Sequence, residues 1–304
     1  MPEHMLNTKE VAEYLGINEK QVYALIKAGR IPCTRVTGKW VFPKNLIDEW
    51  IDRNAREGVS ANGRQSRRPG GHLLASGSND PVLDLLISQN TGTEFRIFTC
   101  NTGSTGGLTL MKESGTDIAW CHLFDPDTGE YNVPYVASHL GDKKIAVIHL
   151  FKREIGFLVS PEASKKIRTF GDLASGVRFV NRQQGSGIRL FLDHNLKKAG
   201  IDASAITGYE NEVNTHFEIG LSILAGKADA GISSVAISKL LGLPFVPLVR
   251  ESFDMVVGKE TFFEKGIQDF IETLQSKKFR KSVEPLGDYG FADSGKILYS
   301  SAGS

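Results

Sequence analysis

The sequence predicts an α/β body preceded by a small helical head. From residue 72 onward, short apolar β-prone runs alternate with segments of helical period, the pattern of a parallel sheet with crossover helices. Before that, residues 6–28 hold two short helical patterns parted by Gly16, and Thr34–Phe42 alternates around a Thr-Gly pair as a small hairpin. Charge divides at the same place. Residues 1–71 hold 12 basic and 8 acidic residues, +4, which leaves −3 for the rest of a chain of net charge +1. A polyanion partner is expected for the first part only.

At 304 residues, 40% hydrophobic and 23% charged, the composition is that of a folded chain of two or three domains. No apolar run approaches the roughly 18 residues of a membrane span, so no membrane partner is expected. The start, MPEHMLNTKEVAEYLG, has no basic stretch followed by an apolar one. No secretory signal is expected, and the expected location is the cytoplasm. Cys33, Cys100 and Cys121 are far apart, odd in number and without metal-ligand spacing, as reduced thiols would be.

In the head, Val11, Ala12, Tyr14 and Leu15 fit one face of a helix that begins near Thr8 and breaks at Gly16. Asn18 is suited to cap a second helix whose Val22, Leu25 and Ile26 face inward, and Gly29 and Pro32 end it. Ala12, Gly16 and Val22 have the spacing of a helix-turn-helix: a small residue for close approach, a turn, and a plug between the helices. Pro43 opens a third helix with Leu46, Ile47, Trp50 and Ile51 on one face.

Through L-N-T-K-E-V-A-E-Y-L-G, V-Y-A-L-I-K-A-G-R-I-P and R-V-T-G-K-W-V-F-P, residues 6–55 resemble the MerR-like or excisionase family of winged helix-turn-helix DNA-binding domains. The resemblance implies that the second helix enters the major groove of double-stranded DNA and that the hairpin acts as a wing. Lys20, Gln21, Tyr23 and Lys27 are then the groove candidates, and Arg35, Thr37 and Lys39 the wing candidates. Gln21 is suited to a base edge, the lysines and threonine to phosphates. The domain expected is 1–55, followed by a basic flexible linker over 56–71. Arg53, Arg56, Arg64, Arg67 and Arg68 are further candidates for phosphate contact.

In the body, strands are expected at His72–Ser76, Phe95–Cys100, Asp117–Trp120, Lys144–Leu150, Ile155–Val159, Ala228–Ile232, Phe245–Leu248 and Asp254–Val257. Val177–Leu196 reads as strand, glycine loop and helix. Three strand-to-helix turns carry small hydroxyl or amide residues: Ser78-Asn79, Ser104-Thr105-Gly106 and Gly185-Ser186-Gly187. Each offers hydroxyl groups and unbonded backbone N–H groups at a helix start, where the helix dipole also favours an anion. Arg182 adds a planar charged fork, and Ser233 follows another strand. These loops form a donor-rich set for an oxyanion. They show no acceptor for an anion that keeps a proton, which favours a fully ionised, sulfate-like tetrahedral anion. Asp80 reads as a first-turn helix residue, and His122 as a structural histidine beside Asp125.

Through G-S-N-D-P-V-L-D, N-T-G-S-T-G-G-L, D-I-A-W-C-H-L-F-D-P-D-T-G-E-Y-N and V-R-F-V-N-R-Q-Q-G-S-G-I-R, residues 72–295 resemble the periplasmic-type molybdate-binding domains fused to helix-turn-helix regulators. R-Q-Q-G-S-G is also similar to the R-G-D-x-S-G loop of tungstate-binding proteins. The resemblance implies a two-lobed type II periplasmic-binding-protein-like fold over 72–304. Lobe one would be 72–160 with 254–304 and lobe two 161–253, joined by hinge strands near Ile155–Val159 and Asp254–Val257. Ser78, Ser104 and Thr105 would then face Arg182, Ser186 and Ser233 across a closing cleft, with Asn79, Gly106, Gly185 and Gly187 as further oxyanion-binding candidates.

The function expected is a DNA-binding transcriptional regulator that senses molybdate or tungstate, acting as a homodimer or higher homo-oligomer on paired half-sites. The alternatives are a regulator sensing sulfate or a small organic anion, and an excisionase-like architectural protein whose body is a scaffold. No Ser-His-Asp set, metal-spaced His/Cys cluster or paired carboxylates with a catalytic role stand out, so neither an enzyme nor a bound cofactor or metal is expected.

Overall fold

The computed structural model describes residues 5–29, 31–36, 38–60, 71–90 and 96–301, with side chains throughout except at 36 and 53–60. The chain separates into two compact units, Met1–Arg68 and Pro69–Ser304. Among the described residues no helix is long and apolar enough to cross a membrane.

The first unit runs β1 (Met5–Asn7), α1 (Thr8–Leu15), α2 (Glu19–Lys27), β2 (Thr34–Val36), β3 (Lys39–Pro43) and α3 (Lys44–Ser60). Both short helices start on asparagine capping boxes. Asn7 accepts from Lys9 and Glu10 N–H groups while Glu10 takes the Asn7 N–H, and Asn18 and Gln21 do the same for α2. Gly16 ends α1 at φ +66°, a left-handed position that suits glycine. The hairpin β2–β3 gains a third strand, since β1 pairs antiparallel with β3. Val11, Ala12, Val22, Phe42 and Ile47 form the core. Two residues expected inside are outside: Tyr14 is 46% and Leu46 41% exposed. Tyr14 lies over the Lys44 ammonium and donates to Asp48, so its polar tip selects the surface. The helix α3 runs to Ser60, into the stretch read as linker; 61–70 lie outside the described residues.

The second unit begins β4 (His72–Gly77), α4 (Pro81–Gln89), β5 (Arg96–Asn101), α5 (Ser104–Lys112), β6 (Ile118–Cys121), α6 (Val133–Leu140) and β7 (Ile145–Val159). It continues β8 (Phe179–Arg182), α7 (Gly187–Ala199), β9 (Glu212–Val213), α8 (His216–Leu224), β10 (Ala230–Ser234) and α9 (Val235–Leu241). It closes with β11 (Phe245–Gly258), α10 (Lys259–Phe262), α11 (Lys265–Gln275), α12 (Lys277–Val283) and β12 (Ile297–Ser300).

The nine-stranded sheet has the order β5-β4-β6-β11-β7-β10-β8-β9, with β12 also on β7. It is mixed rather than parallel. Each lobe keeps parallel pairs, β4 with β5 and β6, and β8 with β9 and β10. Between them β7 and β11 pair antiparallel along almost their whole length. This is a two-lobed, type II periplasmic-binding-protein-like sheet.

The four strands expected at Lys144–Leu150, Ile155–Val159, Phe245–Leu248 and Asp254–Val257 are two long ones. The charged interruptions Lys152-Arg153-Glu154 and Arg250-Glu251-Ser252 resemble loops in sequence. In the fold they face each other in register, Arg153 opposite Glu251, so the strands continue through them. Leu150, Phe151, Phe253 and Met255 belong to the core of the first lobe. Ile155, Phe157 and Val159, with Val246, Leu248 and Val249, pack into the core of the second. The passage between lobes therefore lies at 152–154 and 250–252.

Candidate functional site

The donor turns lie where the two lobes meet. The strand β4 ends at Gly77 and delivers Ser78, whose hydroxyl is 2.8 Å from that of Ser104. Ser104 and Thr105 are in the first turn of α5, which starts earlier than the apolar run Leu108–Met111 alone indicates. From the other lobe, β8 ends on Arg182 and the loop Gln183–Ser186 leads into α7, with Ser186 capping the Arg189 N–H.

The lobes touch through these turns. Thr105 donates both its N–H (3.2 Å) and its hydroxyl (2.6 Å) to the Gly185 carbonyl. A Cβ at Gly187 would stand 2.6 Å from the His122 carbonyl oxygen, so only glycine allows the start of α7 to come this close to the end of β6. The turns at Thr105 and Gly185, one from each lobe, are thus brought together.

Their individual partners are these. Thr105 and Gly185 bind each other and act as a latch between lobes. The Ser233 hydroxyl lies against His216, 3.4 Å from Nδ1 and 3.3 Å from its carbonyl oxygen. Gly106 is inside α5, close over the Thr102 side chain. Ser78, Asn79, Ser104 and Ser186 are all buried at the junction.

Arg182 is 1% exposed. Its Nε donates to Gln183 Oε1 at 3.1 Å and its Nη2 to the Asn214 carbonyl at 2.8 Å, while Nη1 is buried with no hydrogen-bond partner among the described residues. Burial, with Arg153 close by, pushes this guanidinium down to about 9. A buried cation of this kind calls for an anion. Among the described residues four buried acceptor-capable atoms share its condition, His72 Nδ1, Asn79 Oδ1, His122 Nε2 and Ser234 Oγ. The donor loops are therefore accompanied by acceptor-capable atoms, of which His122 Nε2 accepts when the ring is neutral and donates when it is protonated. His122 was hard to read because its partner, Glu251, lies 129 positions away, not at Asp125.

Beneath these groups is a charge network that the sequence reading did not identify. Arg153 is wholly buried, and donates to Glu251 Oε1 (2.8 Å from Nε) and to Asp80 Oδ2 (2.6 Å from Nη1). Its Nη2 lies 3.3 Å from His216 Nε2. Burial would depress this guanidinium, but Glu251 and Asp80 outweigh it and hold it above its usual value. Asp80 is the N-cap of α4 rather than a first-turn residue, and it also accepts from the Tyr289 hydroxyl at 3.0 Å. The available sequence signal was the pair of charged interruptions in otherwise apolar strands.

In the head, Lys20, Tyr23, Lys27, Arg35 and Lys39 are exposed. Gln21 is also exposed, but its carbonyl oxygen takes the Asn18 N–H at 3.1 Å, so part of its base-reading capacity serves the helix cap. Arg35 donates to the Gly38 carbonyl and stacks on Trp40, 5.7 Å from the ring centre, which stiffens the hairpin. Thr37 lies outside the described residues.

The body thus has a two-lobed, type II periplasmic-binding-protein-like fold, and the head that of a helix-turn-helix domain. Residues 87–275 match the family model of the PBP superfamily domain, and the chain belongs to that family. Residues 5–55 match the helix-turn-helix domain of the excisionase-like kind. The protein called Uncharacterized protein YvgK of Bacillus subtilis (strain 168) is 29% identical over 300 residues, 95% of this chain and 96% of its own length. In fold, the body is similar to a putative phosphate ABC transporter substrate-binding protein with bound phosphate from Clostridium perfringens. That match has TM-score 0.52 and 15% identity, over 71% of this chain and 97% of the other. It is also similar to the tungstate ABC transporter from Geobacter sulfurreducens, with TM-score 0.51 and 11% identity, over 70% and 97%.

Proposed function

We propose that the chain is a transcriptional regulator in which the helix-turn-helix head binds DNA and the two-lobed body senses a tetrahedral oxyanion, with molybdate or tungstate as the ligand. The observation that carries the anion reading is Arg182: a buried guanidinium whose Nη1 has no partner among the described residues, at the meeting of two lobes. Ser78, Ser104 and Ser186, with the helix starts of α5 and α7, surround the same junction. The proteins of like fold, one with bound phosphate and one a tungstate ABC transporter, support a small-anion ligand at this junction.

A sensor works only if its anion binds the DNA-competent and incompetent states differently, and the coupling is then reciprocal. Lobe closure through the Thr105–Gly185 latch supplies the two states. We propose a homodimer as the DNA-binding form, since paired heads suit paired half-sites.

Calorimetry of the full chain against molybdate, tungstate, sulfate and phosphate tests the reading. Binding of either metal oxyanion, weakened strongly by Arg182→Ala, supports it. Preference for sulfate moves the ligand to that alternative, preference for phosphate overturns the metal-oxyanion ligand, and the absence of binding across this panel leaves a small organic anion or a scaffold body.

A further inference from the structure

We infer that the cleft takes up its anion together with a proton held at His122 Nε2, between the ring and a bound oxygen. This rests on the anion reading above and adds His122 to the binding residues.

The geometry leaves His122 one open position. It follows the end of β6 and is 1% exposed. Its backbone N–H donates to Ser104 Oγ at 3.2 Å, and its ring Nδ1 lies 3.1 Å from Glu251 Oε2. The ring stacks on Phe253 with centroids 5.9 Å apart and lies against Gly187 at the start of α7. With one nitrogen held by a carboxylate and the ring clamped between lobes, Nε2 is buried and has no partner among the described residues. Buried polar atoms in folded proteins have partners, and an oxyanion at this junction is one.

The charges around it set the direction of proton flow. Glu251 faces it from β11, Arg153 from β7, Arg182 from β8, and His216 from α8 with ring centroids 6.3 Å apart. Tyr131 and Asp80 join through Glu251 and Arg153. Asp80 and Glu251 hold Arg153, so Arg182, with no carboxylate in hydrogen-bond contact among the described residues, is the cation left for the anion, and burial favours the neutral form of both histidines. A doubly charged anion exceeds that single charge and leaves an excess of negative charge away from water, which is costly. A proton on His122 lowers that excess and turns Nε2 into a charge-assisted donor toward the anion. Nothing is oxidised or reduced; the proton comes from solvent and stays on the line from Nε2 to the anion.

Calorimetry of the full chain with sodium molybdate, in buffers of different ionisation enthalpy near pH 8, reads the protons taken up. The expected result is about one proton per anion and a Kd that rises about tenfold per pH unit above neutrality. His122→Gln keeps a polar side chain that cannot titrate, and it should abolish both the uptake and the slope. The nitrogen chemical shift of His122 Nε2 locates the proton without any variant: molybdate should move it from neutral to imidazolium type. Molybdate binding without proton uptake overturns this inference and leaves the anion reading standing. Uptake that persists in His122→Gln overturns the assignment to His122. The absence of binding for molybdate, tungstate, sulfate and phosphate alike removes both.

Discussion

Arg153 and Glu251 face each other where the two long strands pass between lobes, with Nη2 2.7 Å from Oε1 and both side chains out of solvent. Glu251 also holds His122, and Arg153 also holds Asp80 and approaches His216. One ion pair thus ties the passage between lobes to the groups at the cleft. A buried pair adds little net stability over an apolar replacement, but removal of one partner strands the other. Glu251→Gln is therefore expected to destabilise the chain by about 3 kcal/mol in urea denaturation at neutral pH.

Arg182 behaves oppositely. It is a buried cation with no carboxylate in hydrogen-bond contact among the described residues. Arg182→Met keeps the bulk and removes the charge. The thermal midpoint without anion is expected to stay level or rise, and the rise caused by molybdate should shrink. Loss of charge-assisted bonds worth about 1.5–3 kcal/mol corresponds to about 10- to 100-fold in Kd by calorimetry.

Gly187→Ala tests closure. The added Cβ would meet the His122 carbonyl, which is backbone and cannot swing away. The lobes should be held apart and anion affinity should fall, with the fold of each lobe intact by circular dichroism. Unchanged affinity would mean that α7 need not approach β6 for binding.

The pH dependence of stability has a definite sign. Burial, with Arg153, Arg182 and His122 nearby, holds His216 well below its ordinary 6.5, and burial likewise lowers His122. Between the folded value and 6.5 the unfolded chain binds more protons, so stability of the anion-free protein rises with pH there. It is expected to be highest above about 6.5 and to decline on acidification, measured by urea midpoints across pH. His216→Gln should make that decline shallower.

In the head, Lys39 is exposed on β3. Lys39→Ala is expected to weaken DNA binding across sequences and reduce the slope of log Kd against log salt by about 1. A change confined to one base position would reassign Lys39 from phosphate to base contact.

Much of this was legible in sequence. Asn18 as a cap, Gly16 as a left-handed stop and Val22 as a core plug are local matters, decided by neighbours within a turn. The three donor turns were visible because small hydroxyl residues and glycines recur between strands and helices. Tyr14 and Leu46 misled because helical spacing shows a stripe but not its edges. The partners of the Ser233 and Thr105 hydroxyls, His216 and Gly185, were not legible because only the folded chain brings them near.

The sequence by itself determined the division into a helix-turn-helix head and an α/β body, the helix starts, and Arg182 at a strand end beside a glycine loop. These depend on periodicity and on bonds between residues a few positions apart. Only the tertiary structure decided that Arg153 and Glu251 continue two strands instead of ending them. It also decided that Asp80 and His122 serve that pair, and that Arg182 Nη1 is buried without a partner among the described residues. The reason is physical. A charge can be buried only when its counter-charge arrives with it, and here the counter-charge to Arg153 comes from residues 73 and 98 positions away along the chain.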